Sequence, residues 1–224
     1  MTARDAARRT CAAAVTGFAL LIAPAGVPTA SAAPCPDVEV VFARGTFAPP
    51  GVGEIGQDFV NALRAKVGDK SVGVYAVVYP ASTDFPTAVD GIRDAANHIE
   101  AMSANCPNTR LVLGGYSQGA AVIGFVTANA VPAGVDPSDK PKPMPANVAD
   151  HVAAVALLGK PDPDFMKMID SPPVTIGPLY ASKAIELCAP GDPICSTGRD
   201  DAAHTSYTKV GLTDQAAAFA AGRV

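Results

Sequence analysis

Residues 110–126 read Arg110-Leu-Val-Leu-Gly-Gly-Tyr-Ser-Gln-Gly119-Ala-Ala-Val-Ile-Gly-Phe-Val126. A short apolar run flows into Gly115-Tyr-Ser-Gln-Gly119, and an apolar, Ala-containing segment follows at once. That pattern predicts a buried strand, a tight turn carrying Ser117, and the start of a helix. Glycine on both sides of the turn suits a backbone strained at the serine and a strand and helix in close approach, where a side chain would clash. In a chain with 20 glycines the pentapeptide alone is a weak signal, and its flanks give it meaning. Ser117 is expected to project its hydroxyl above the end of a sheet.

The surrounding sequence repeats this alternation. Val38-Glu-Val-Val-Phe-Ala43 reads as a buried strand, and Ile55, Phe59 and Leu63 fall four apart on a helix over 53–66 that Gly68 can end. A second strand is expected over Val72–Tyr79, then a helix with Val89, Ile92, Ala96 and Ile99 on one side. A fourth strand spans His151–Leu158, a fifth includes Lys183–Leu187, and a small-residue helix closes the chain over 206–221. Strands alternating with helices predict an α/β fold with a central, mainly parallel five-stranded sheet covered by helices on both faces. Ligands of such sheets sit at the carboxyl ends of the strands, where Ser117 falls. Two stretches are irregular: the proline-rich connection 132–145, and a loop over 162–178 whose Phe165, Met166, Met168 and Ile169 suit either an acyl pocket or a core edge.

Residues 1–32 read as a secretory signal peptide, with Arg4, Arg8 and Arg9 before an apolar run from Cys11 to Ala23 and small residues at Ala30-Ser-Ala32. Its removal takes Lys+Arg from 17 to 14 and Asp+Glu from 21 to 20, so the net charge moves from -4 to -6. Residues 33–224 then form one domain, expected to be monomeric. With no basic patch and no long apolar segment, neither nucleic-acid binding nor stable membrane insertion is supported. Of the five cysteines, Cys35, Cys106, Cys188 and Cys195 remain after the leader. Four cysteines in an oxidising compartment suggest two disulfides with three connectivities. Cys188 and Cys195 flank a tight Ala-Pro-Gly-Asp-Pro-Ile loop and are expected to pair, leaving Cys35 with Cys106. Neither the spacing nor a nearby histidine pair supports a zinc site, and no metal or cofactor is expected.

A serine hydroxyl becomes a nucleophile when a base takes its proton, and the base needs an orienting carboxylate. Three histidines exist. His98 reads as a solvated helix residue and His151 as the start of a strand. His204, in the polar loop Asp200-Asp-Ala-Ala-His-Thr-Ser-Tyr207, follows the last strand and suits the chain order serine, acid, histidine. Asp162, Asp164, Asp200 and Asp201 are candidate acids. Asp192 differs, because a Cys188–Cys195 bridge would hold its carboxylate rigidly. Oxyanion donors are expected from the N–H of Gln118, at the start of its helix, and from Thr46 in the loop after the first strand.

Taken together, Ala43-Arg-Gly-Thr46, Gly115-Tyr-Ser-Gln-Gly119, Cys188-Ala-Pro-Gly-Asp-Pro-Ile-Cys195 and Ala203-His204 through Tyr207 resemble the four signature segments of cutinases, in the family's order. The likeness runs from Cys35 to the closing helix and is nearest to the secreted cutinase-like esterases of mycobacteria and related actinobacteria. It implies an α/β-hydrolase without a lid, the two disulfides above, nucleophile Ser117, acid Asp192, base His204 and oxyanion donors Thr46 and Gln118. Thr46 stands where fungal cutinases carry serine and keeps the hydroxyl; the stretch from Pro132 is longer than theirs. The implied activity is hydrolysis of short- to medium-chain acyl esters, with lipids and polyesters such as cutin as further substrates. Phospholipase action, acyl transfer, and a secreted binding protein without turnover are the alternatives.

Overall fold

The computed structural model describes residues 34–224, so the leader expected over 1–32 lies outside the described residues. Five strands, β1 (Val38–Ala43), β2 (Val72–Ala76), β3 (Arg110–Tyr116), β4 (Val152–Leu158) and β5 (Ala184–Leu187), form one sheet in the order β2-β1-β3-β4-β5. Every neighbouring pair is parallel. The helices are α1 (Gly53–Arg64), α2 (Ala88–Asn105), α3 (Gln118–Ala128), α4 (Val148–His151), α5 (Pro163–Met168) and α6 (Leu212–Ala221).

Side-chain alternation in β1 divides the core. Val38, Val40 and Phe42 pack with Phe59, Val60 and Leu63 of α1 and with Ala216, Ala217 and Ala220 of α6. Val41 and Ala43 face the opposite layer, with Ile92, Ala95 and Ile99 of α2 and the apolar residues of α3. From Gln118 to Thr127 every residue of α3 is buried, which is why its sequence is apolar all round instead of striped.

The strand order places the site. The chain steps from β1 outward to β2, crosses back over β1 to β3, and proceeds the other way to β4 and β5. The order therefore reverses between β1 and β3, and a crevice opens there at the carboxyl ends of the strands. Ala43 pairs with Gly115 across it, so the loops that follow these residues, carrying Thr46 and Ser117, flank the crevice.

Several boundaries differ from the sequence expectation: α1 ends at Arg64, and Lys183 ends a 3₁₀ turn before β5 instead of opening that strand. The second strand stops at Ala76, because the Arg44 guanidinium takes the carbonyls of Val77, Tyr79 and Pro80 that a longer strand would direct along the sheet. His151 ends α4 instead of beginning β4. The closing helix starts at Leu212, after a turn in which Gly211 takes a φ of 77°. His98 is no solvated residue: it pairs with the buried Glu39 at 2.9 Å and stacks on Tyr75.

Cys35 is bonded to Cys106 and Cys188 to Cys195. The first bridge ties the segment before β1 to the end of α2 and closes a separation of 71 residues. In the chain-entropy model that loop is worth about 4 kcal/mol. Replacing both Cys35 and Cys106 by serine is expected to lower unfolding stability by about that amount, read by denaturant melts, with kcat unchanged.

Candidate active site

Ser117 joins β3 to α3 at φ 54° and ψ -121°, a backbone conformation that costs an L-residue on the order of 1–3 kcal/mol. The cost is met by neighbours. The Ser117 N–H donates to the Leu158 carbonyl at the end of β4 (2.9 Å), and the Ser117 carbonyl accepts from the N–H groups of Ala120 and Ala121. A methyl group on Gly115 would overlap the Gly119 carbonyl, and one on Gly119 would overlap the Ala43 carbonyl. Both motif glycines are therefore required by close backbone approach.

The 3₁₀ turn Ala203–Thr205 brings His204 over the serine. His204 Nε2 lies 2.9 Å from Ser117 Oγ, and its Nδ1 lies 2.8 Å from Asp192 Oδ2. The ring stacks on Tyr116, whose hydroxyl donates to the His204 carbonyl. Burial raises the Tyr116 phenol, with the Asp192 charge adding to it, so this donor stays protonated.

Asp192 is completely buried in the loop closed by Cys188–Cys195. Oδ1 accepts the Ile194 N–H at 2.8 Å, and Oδ2 accepts both His204 Nδ1 and, at 2.6 Å, the Tyr207 hydroxyl. Burial by itself would raise this carboxyl, but the hydrogen bonds from His204, Tyr207 and Ile194 outweigh it and hold it below the ordinary aspartate value. Asp192 is thus charged throughout the neutral range.

The other candidate acids stand apart from this constellation. Asp162 caps α5, accepting the Phe165 N–H at 2.8 Å, while Asp164 and Asp201 are exposed and Asp200 caps its own turn through Ala202. Tyr207 has no separate role in the sequence expectation. A tyrosine three residues after the histidine was the available signal, and only the fold shows that its hydroxyl meets the same carboxylate oxygen as the imidazole.

Facing Ser117, the Thr46 hydroxyl donates to Gln118 Oε1 (3.4 Å) and Gln118 Nε2 donates to the Ser82 carbonyl (2.9 Å). This chain of contacts fixes the loop after β1 against the first turn of α3, whose leading N–H groups have no partner inside the helix. Arg44, buried, anchors the same loop through the carbonyls of Ala48, Val77 and Tyr79. A cavity of about 620 Å³ opens above Ser117 and His204, walled by Phe85, Phe125, Pro132, Phe165, Met166 and Ile169. The 162–178 segment thus lines the pocket, partly through the short helix α5 where a loop is expected, while Met168 points to solvent.

Among the described residues, the one cluster able to offer three metal ligands is Cys188, Asp192 and Cys195. Its two sulfurs are bonded to each other, and the carboxylate already accepts three hydrogen bonds. No helix among these residues is long and apolar enough to cross a membrane.

A model of the cutinase family matches residues 34–224. The chain is 61% identical over 172 residues to the probable carboxylesterase Culp5 of Mycobacterium tuberculosis, covering 77% of this chain and 98% of that one. It is 48% identical over 222 residues to the phospholipase Culp4 of the same organism, covering 98% and 93%. Among solved structures it resembles a Trichoderma reesei cutinase in complex with a phosphonate inhibitor, at 35% identity and a TM-score of 0.62 over 84% of this chain and 77% of that one. With the family's residues matched along the whole described chain, and the parallel sheet and its crevice in place, the protein belongs to the cutinase family of carboxylic ester hydrolases.

Proposed function

We propose that this protein is a secreted serine esterase that cleaves short- to medium-chain acyl esters through an acyl-enzyme on Ser117. The observation that carries the reading is the unbroken relay of Ser117 Oγ, His204 and buried Asp192, with contacts of 2.9 and 2.8 Å, opening on an apolar cavity. In the first step His204 Nε2 accepts the Ser117 proton as Oγ bonds to the ester carbonyl carbon. The carbonyl oxygen takes up the electron pair, held by the N–H groups of Gln118 and Thr46. Collapse of this intermediate breaks the bond to the alcohol, which leaves with the proton from His204. Water, giving its proton to the same nitrogen, then releases the acid by the reverse sequence. Asp192 holds the imidazole in the tautomer that presents Nε2 to the serine and stabilises the imidazolium that forms. The two disulfides agree with an extracellular site of action.

A second reading, hydrolysis of phospholipid esters, is favoured by the likeness to a relative named as a phospholipase and by Phe47, 77% exposed at the cavity mouth. Purified protein assayed on chromogenic esters of graded acyl length, beside dispersed diacyl phospholipid, separates the two. The highest kcat/KM is expected on dissolved short to medium esters; a higher value on the phospholipid would assign the lipid instead.

A further inference from the structure

The Tyr207 side chain is fully buried and large, yet it ends in a hydroxyl beneath the catalytic acid. Its hydrogen-bond polarity can be assigned. The Ala189 N–H donates to the phenol oxygen (3.3 Å), and Cys195 Sγ, 3.3 Å away, is in a disulfide and has no proton to give. The phenol proton is left with one strong acceptor, Asp192 Oδ2 at 2.6 Å. Burial and the hydrogen bond to Asp192 both raise this phenol, so it remains a donor across the working range. The same carboxylate oxygen accepts His204 Nδ1.

We propose that Tyr207 is a positioning residue that acts through Asp192, fixing the carboxylate's rotation and withdrawing part of its charge from the imidazole. Resting on the esterase reading above, this gives the enzyme a setting for its base as well as a base. A carboxylate shared with a phenol stabilises imidazolium less than one bonded to the imidazole alone. The geometry serves this arrangement. Gly159 lies where any Cβ would come within 2.7 Å of the Tyr207 hydroxyl, and the Tyr207 ring packs edge-on against Tyr116. The groups facing the pair are Tyr116, stacked on the imidazole from the end of β3, the Ser117 hydroxyl at Nε2, and Tyr207 itself. The carboxylate's one ion pair among the described residues is with His204.

The test is the pH profile of kcat/KM on a chromogenic short-chain ester for the parent, Tyr207→Phe, Asp192→Asn and the double variant. Tyr207→Phe keeps the ring that fills the buried space. It is expected to lower plateau kcat roughly 3- to 10-fold and to move the acidic limb to higher pH, because the carboxylate, relieved of a donor, holds the imidazolium more strongly. In the Asp192→Asn background the same change should have almost no further effect on kcat. Replacing Tyr207 by 3-fluorotyrosine retains ring and hydroxyl while strengthening the donor, and should move the limb to lower pH, so the proposal stays testable if Tyr207→Phe folds poorly. An acidic limb that stays put both in Tyr207→Phe and with 3-fluorotyrosine at position 207, or an equal fold-loss with and without Asp192, would overturn it. Absence of Ser117-dependent turnover in the parent would instead remove the esterase reading itself.

Discussion

Ser117→Ala is expected to lower ester turnover by at least about 10³-fold and to abolish covalent capture of a serine-directed phosphonate, detected as a mass increment on the intact protein. The side chain is small, and alanine can replace it with little change in bulk. Ser117 is 9% exposed, and its backbone bonds to Leu158, Ala120 and Ala121 use no side-chain atom. Thermal unfolding should therefore change little, which separates lost chemistry from lost fold. Labelling that survives in the variant would place the nucleophile elsewhere and remove the proposed mechanism.

The second large effect concerns the acid. Asp192→Asn should reduce kcat by about 10³- to 10⁴-fold, because an amide at this position offers His204 Nδ1 an N–H as readily as a carbonyl and no longer selects the productive tautomer. The buried site also loses a charge that accepts three hydrogen bonds. Asp162→Asn is the matched comparison. That carboxylate caps α5, and asparagine caps a helix about as well as aspartate, so near-parental kinetics and stability are expected. Intact turnover in Asp192→Asn together with loss in Asp162→Asn would move the acid to the other loop.

How much of this was readable in advance follows from what each feature depends on. The strand Val38–Ala43 and the turn at Ser117 depend on residues adjacent in the chain, and the sequence shows both because periodicity and paired glycines are local signals. The end of β2 depends on Arg44, more than thirty residues earlier, capturing its carbonyls, so the apolar run through Tyr79 overstated the strand. His98 looked solvated because its partner, Glu39, sits on a strand that sequence spacing does not bring to it. The loop around Asp192 was legible as a covalently closed unit because cysteines announce themselves. Tyr207 was not, because a side-chain hydroxyl meeting a carboxylate across fifteen residues leaves no periodic trace.

Part of the cavity wall comes from segments that carry no member of the relay. Ser117, His204 and Asp192 are held by carbonyls that touch glycines, by a disulfide and by buried tyrosines, so almost any change there collides with something. Phe165, Met166, Ile169 and Pro132 belong to connections that contribute none of those contacts and yet shape the space above the serine. Substitutions in that set can therefore reshape the pocket while the contacts that hold the relay stay in place. Paralogues built on this plan can diverge in diet without relearning the reaction.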